Sequence, residues 1–173
     1  MGLLASLYAK LFGTEHVSGA IYDFTMKDIH GDEVDFKQFK GKKLLIVNTA
    51  SKCGFTPQYA DLEKLHRMYA NNITVLGIPS NNFLWQEPGS NADILSFCNN
   101  NYQVTFKMLS KITVRGRSKH PLYQWLQAKT GKIPFWNFCK YLVSEDGSRV
   151  MFFNSKVNPL DPAIVSEITK TQN

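Results

Sequence analysis

The stretch VNTASKCGFTPQY, Val47 to Tyr59, puts a cysteine where a nucleophile would be useful. An apolar, β-branched run leads into it and a helix-start signal follows. Thr56 is a natural N-cap and Pro57 a natural first helical residue. Cys53 then lies just ahead of a helix N-terminus, where unpaired backbone N–H groups and the helix dipole favour a thiolate over a thiol. Lys52 adds a positive neighbour, and Gly54 lets a small substrate approach the backbone closely. The carboxyl end of a central strand is also where open α/β sheets carry their sites. A cysteine can equally be a small buried hydrophobe. Polar Ser51 and Lys52 immediately before Cys53 make burial in an apolar core awkward.

The other two cysteines are Cys98 and Cys139. Three is an odd number, with no C-x-x-C pair and no zinc-ligand spacing, so neither a disulfide scaffold nor a metal site is indicated. Free or transiently paired thiols in a reducing compartment, the cytoplasm, fit better. Cys98 stands in ILSFCNNNYQVTF, four residues after Ile94 and so on the same helical face. The asparagines Asn99, Asn100 and Asn101 are poor helix formers, and this helix end is expected to be locally unstable. Cys139, two residues after Asn137, is expected on a strand, facing the same side as that asparagine and packed as an inert thiol.

The elements that must position these groups are readable from periodicity. AIYDFTMKDIHGDEVDFKQF reads as two short strands around a turn at His30-Gly31-Asp32. KKLLIVNTAS is a continuous apolar run, a buried central strand. TPQYADLEKLHRMYANN is a helix with Leu62, Leu65 and Tyr69 at helical spacing, and ITVLGIPS is the next buried strand. Together they form a parallel crossover unit. A second helix starts near Ser90, with Asp93 at capping-box spacing. HPLYQWLQAKTG is a third, ended by Gly131. NFCKYLVSEDGSRVMFFNS is a hairpin turning at Asp146-Gly147, and PAIVSEITKTQ closes the chain as a helix. The order calls for an α/β fold, with a central mixed sheet flanked by helices and preceded by an N-terminal β-hairpin.

The chain has 173 residues, 43% of them hydrophobic and 20% charged, as expected for one globular domain over 19–173. Its net charge of +6 is spread out, with small clusters at Gly41–Lys43 and Arg115–Lys119. No basic run is interleaved with aromatics, so a nucleic-acid partner is not indicated. The positive surface leaves room for a weak contact with an anionic membrane surface. The first 18 residues read as an amphipathic extension, with Leu4, Leu7, Tyr8 and Leu11 on one side. Met1-Gly2 with Ser6 matches the short, loose myristoylation pattern.

VNTASKCGFTPQY closely resembles the signature of the glutathione peroxidase family. GIPSNNFLWQEPGS resembles that family's second motif and IPFWNFCKYLV its third, in the same order. The resemblance extends from about Tyr22 to the last helix. It implies a thioredoxin-like fold and reduction of hydroperoxides without a metal or organic cofactor. Carried over, Cys53 is the peroxidatic residue, and Gln86, Trp136 and Asn137 complete a tetrad that polarises the thiol and binds peroxide oxygen. Gln86 and Asn137 can supply amide donors and Trp136 an indole N–H. Charge that develops on the departing oxygen needs such donors. The segment around Cys98 resembles the resolving-cysteine segment of the cysteine-containing members, which implies a Cys53–Cys98 disulfide reduced by thioredoxin. It also implies that the helix unwinds to deliver Cys98, and the asparagine run makes that cheap.

Two departures qualify the likeness. Asn82 stands where glutamine is common, and Leu84-Trp85 replace small residues usual before Gln86. Trp85 either favours lipid hydroperoxides or fills a gap. The short connection AKTGKIP lacks the insertion that builds subunit contacts in tetrameric members, so a monomer with an open site is implied. Basic residues for glutathione cannot be assigned, which favours thioredoxin over glutathione as reductant. Two other readings remain open. A thiol-disulfide oxidoreductase on the same fold normally needs a C-x-x-C pair, and position 56 is Thr. A redox relay would pass the disulfide to a partner protein.

Overall fold

A computed structural model describes residues 19–170; the N-terminal extension with Leu4, Leu7, Tyr8 and Leu11 lies outside the described residues. The chain opens with a short hairpin, β1 (Thr25–Lys27) and β2 (Glu33–Asp35), paired Met26 to Val34. Gly31 takes φ 95° in its turn, a conformation that glycine adopts without a Cβ penalty. The central sheet is built from β3 (Lys43–Thr49), β4 (Ile73–Pro79), β5 (Lys107–Met108), β6 (Lys140–Val143) and β7 (Val150–Phe153). Their order is β5-β4-β3-β6-β7. β3 and β4 run parallel, joined by α1 (Gln58–Met68), while β6 and β7 form the antiparallel half. The mixed sheet expected from the sequence is therefore present, with one addition. β5 contains only two residues, too short for any periodicity to announce it.

Period-two alternation divides the sheet between two cores. Leu44, Ile46, Leu76, Ile78, Tyr141 and Val143 face one side. They are covered there by the N-terminal hairpin and by α3 (Pro121–Thr130), through Leu122, Tyr123, Trp125 and Leu126. Leu45, Val47, Ile73, Val75 and Leu142 face the other side, under α1, α2 (Asn91–Tyr102) and α4 (Pro162–Thr169). Because β3 is buried on both faces, it is apolar almost throughout.

Two of the expected caps are present, and the last helix carries a third that the sequence reading did not include. Ser90 and Asp93 form a reciprocal capping box on α2, Gly131 ends α3 in the left-handed region, and Asp161 caps α4 just before Pro162. In α1 the expectation needs correction, because Pro57 occupies the cap and the helix begins at Gln58. The Thr56 hydroxyl is engaged elsewhere.

Candidate active site

β3 ends at Thr49, and the chain turns outward through Ser51, Lys52 and Cys53 before winding into α1. Thr56 organises this turn. Its Oγ1 donates to Ala50 O (2.8 Å) and accepts from Cys53 N (3.0 Å), while Thr56 N donates to Cys53 O (3.0 Å). With its hydroxyl committed there, Thr56 cannot cap α1. Two i→i+3 bonds, Gln58 N to Phe55 O and Tyr59 N to Thr56 O, lead into the helix instead. The donor that reaches sulfur belongs to this turn: Phe55 N–H points at Cys53 Sγ over 3.4 Å. Cys53 is half-buried, and the space beside Gly54, where a Cβ would stand, is open.

The segments carrying Gln86 and Asn137 meet at the same turn. Lys52 N donates to Gln86 O (3.0 Å), and Asn137 Nδ2 donates to Gln86 Oε1 (2.8 Å). Asn137 is fully buried, whereas Gln86 is partly open. With Oε1 occupied by Asn137, the Gln86 amide nitrogen is left as a donor for another acceptor. Trp136 lies against Phe83, with ring centroids 5.8 Å apart, so the loops before Gln86 and before Asn137 hold each other through aromatic contact. Lys52, the neighbour of Cys53, is thus bonded to Gln86 and Gln86 to Asn137, with Trp136 next to Asn137 packed on Phe83.

Asn48 is the residue that the sequence reading passed over. It is fully buried in β3, donates from Nδ2 to Trp136 O (2.9 Å), and pairs through its backbone with Phe138 N and Cys139 O. A polar side chain inside the run LLIVNT was the available signal, because a buried amide needs a partner. Asn82, noted as a departure, braces the loop: its Oδ1 accepts from Ser80 Oγ (2.8 Å) and Val114 N (2.7 Å). Buried polar atoms without a protein partner gather around this turn, among them Asn48 Oδ1, Thr49 Oγ1, Ser51 Oγ, Glu87 Oε2 and Asn137 Oδ1. Burial raises the Glu87 carboxyl, against the pull of Ser51, which lies close but outside hydrogen-bond geometry, and of Lys111 and Lys52.

Phe138 has φ 62°, and this corrects the expected facing of Cys139. A left-handed residue between Asn137 and Cys139 breaks the alternation, and β6 starts only at Lys140. Cys139 Sγ instead meets Ser155 Oγ at 3.4 Å. Leu84 and Trp85 also have positive φ, 50° and 53°. Trp85 is 75% exposed and Leu84 66%, so Trp85 does not fill a gap.

Cys98 lies on α2 beside Ile94, as the spacing implied, and is fully buried. Burial pushes its thiol up to about 11, although the Tyr59 hydroxyl nearby favours the charged form. That hydroxyl and the thiol do not meet hydrogen-bond geometry, since Tyr59 Oη has no bonded partner. All three cysteines are free thiols. The asparagines after Cys98 do not end the helix. Asn100 Nδ2 reaches Ser96 Oγ and Asn101 Nδ2 reaches Phe97 O, and α2 continues to Tyr102.

The glutathione peroxidase family model matches residues 21–127. The chain belongs to the glutathione peroxidase family. A glutathione peroxidase-like peroxiredoxin 2 from Saccharomyces cerevisiae is 45% identical over 159 residues, covering 87% of this chain and 98% of the relative. A thioredoxin/glutathione peroxidase, BtuE, from Escherichia coli is 39% identical over 174 residues, covering 86% and 95%. The crystal structure of Trgpx in apo form superposes with a TM-score of 0.69 at 35% identity, over 88% of this chain and 97% of that one. The fold is thioredoxin-like, and the protein is a thiol peroxidase. No helix among the described residues is long and apolar enough to cross a membrane.

Proposed function

We propose that the enzyme reduces hydroperoxides at Cys53 and is recycled through Cys98 and thioredoxin. The Cys53 thiolate attacks one peroxide oxygen, the O–O bond breaks, and the products are a Cys53 sulfenic acid and water or an alcohol. The Gln86 amide and the Trp136 indole N–H are the donors for the departing oxygen, and Asn137 holds the Gln86 side chain in register. Cys98 then attacks the sulfenic sulfur. A Cys53–Cys98 disulfide forms, water leaves, and a dithiol donor reduces the pair.

The observation that carries this reading is the bonded set around the cysteine turn. Gln86 takes Lys52 N on its backbone oxygen and Asn137 Nδ2 on its side chain, which supports Gln86 as an amide donor to the peroxidatic turn. The yeast and E. coli relatives, a peroxiredoxin and a thioredoxin/glutathione peroxidase by name, support thioredoxin as donor. A monomer in the reducing cytoplasm, with at most weak contact to a membrane surface, fits the free thiols and the short 128–134 connection.

The test is NADPH consumption coupled through thioredoxin and its reductase, with hydrogen peroxide and a phospholipid hydroperoxide as substrates and glutathione as the competing donor. Thioredoxin-linked turnover should vanish in Cys53→Ser and fall at least tenfold in Cys98→Ser. Full thioredoxin-linked turnover in Cys98→Ser would remove Cys98 from the cycle.

A further inference from the structure

Just beyond Cys98 the chain changes abruptly from lightly held to firmly held. Gln103 ends α2 in a left-handed conformation, φ 46°. The last two bonds of the turn are long, Gln103 N to Asn99 O at 3.2 Å and Val104 N to Cys98 O at 3.4 Å. Asn99, Asn100 and Asn101 are exposed. Thr105, the next residue, is fixed from both its backbone and its side chain. Its N–H donates to Glu63 Oε2 (2.7 Å) and its hydroxyl to Glu63 Oε1 (2.6 Å). Arg67 Nε completes the carboxylate at 2.6 Å. After Thr105, the buried Phe106 ring stacks on Tyr59, and Lys107 enters the sheet.

Glu63 is an unusual residue for this task. Its side chain is only 8% exposed, on the second turn of the helix that begins just after Cys53. Burial alone would raise its carboxyl, but the Thr105 and Arg67 bonds outweigh that and hold it below its ordinary range. Charge-assisted bonds of this length to a carboxylate are among the stronger ones a protein makes. The clamp holds a residue outside α2, which ends at Tyr102. It fixes the chain immediately downstream of the helix end that carries Cys98.

We propose that Glu63 is the positioning residue that governs release of Cys98, by clamping Thr105 at the boundary between the α2 turn and the sheet. The inference rests on the reading of Cys98 as the resolving thiol. In that step Cys98 sulfur attacks Cys53 sulfur, the S–S bond forms, and the S–O bond breaks. The departing hydroxide leaves as water with the thiol proton. Cys98 is fully buried and unbonded to the half-buried Cys53, so on this reading its turn leaves the core for the sulfurs to bond. While Thr105 is clamped, the turn can open only over 98–104. When the clamp is weakened, opening extends further and occurs more often. The clamp therefore sets how long Cys53 sulfenic acid waits, and so how often a second peroxide oxidises it to sulfinic acid first.

The test uses the full chain. Glu63→Gln keeps the shape but presents an amide N–H2 where an acceptor is required. Thr105→Ser keeps both bonds, and Thr105→Val keeps only the backbone one. In the reduced protein, hydrogen exchange over 98–104 should quicken about tenfold in Glu63→Gln, less in Thr105→Val, and not at all in Thr105→Ser, with β3 and β4 unchanged. After one equivalent of hydrogen peroxide, quenched samples should show Cys53–Cys98 disulfide forming several-fold faster in Glu63→Gln. Sulfenic acid formation should keep its wild-type rate, and excess peroxide should yield less sulfinic acid. Unchanged exchange over 98–104 overturns the clamp. So does faster exchange with an unchanged disulfide rate, and in both cases the role of Cys98 stands. If wild-type protein forms no Cys53–Cys98 disulfide, the role of Cys98 fails and the clamp fails with it.

Discussion

A single amide joins two segments of the site: Asn137 Nδ2 on Gln86 Oε1, across 51 residues of sequence. Asn137 is fully buried, so removing its side chain leaves the Gln86 oxygen unpaired and the Gln86 amide free to turn. Asn137→Ala should slow the first oxidation of Cys53 by about 10²-fold, the scale of losing a placed transition-state donor. Its cost in folding stability should be only about 1–3 kcal/mol. Stopped-flow oxidation and urea unfolding separate the two effects, and an unchanged oxidation rate would reduce the bond to a structural one. Cys53, Gln86 and Asn137 were each singled out in the sequence because each sits in a short run that resembles a family motif. The bond between them was not legible, because nothing local in either run specifies a partner so distant. Glu63 was hidden for a related reason. With Arg67 four residues on, it looks like an ordinary helix-surface ion pair, and its burial depends on Thr105 arriving from another element.

At the level of elements, strands and helices were legible where periodicity ran for several residues, and failed where one residue left the regular region. β5 is two residues long, and Phe138 with φ 62° redirects Cys139 toward Ser155. Leu84 and Trp85 explain themselves at this scale. Two consecutive left-handed residues suit small side chains, above all glycine, and each bulky side chain there carries about 1 kcal/mol of backbone strain. Both side chains are largely exposed, so deleting them forfeits little packing. Leu84→Gly and Trp85→Gly should therefore leave stability unchanged or raise it by up to about 1 kcal/mol each, the gain being trimmed by the extra freedom of glycine in the unfolded chain. Urea midpoints measure this directly. A drop of about 2 kcal/mol in either variant would mean that the side chain supports the loop.

Across the whole molecule, a fully buried cation ties separate elements together, and the sequence could not single it out among 20 basic residues. Lys140 is fully buried where β6 begins. Its Nζ donates to Gln58 Oε1 (2.7 Å), Phe138 O (2.8 Å) and Val157 O (2.7 Å), tying the start of α1 to the sheet and to the segment before α4. All three acceptors are neutral, so nothing repays the full cost of desolvating the charge. Burial pulls its ammonium from 10.5 down to about 8, against an opposing influence from Cys139. The sign of the consequence follows from proton linkage. A lowered folded-state value gives a contribution that is complete above about 10.5 and is lost as pH falls through about 8. Other groups move the opposite way. Cys98, raised to about 11, loses its contribution as pH climbs from 9 to 11. In Lys140→Met those other groups remain, so the stability difference between wild type and variant isolates the lysine. Whatever its value at pH 7, that difference should shift in favour of the wild type by about 3 kcal/mol as pH rises from 8 to 10.5. Urea unfolding at four or five pH values across this window measures the slope. A flat difference would mean that Lys140 keeps its ordinary affinity for a proton inside the fold, and a falling one that its three oxygen partners hold the charged form better than water does.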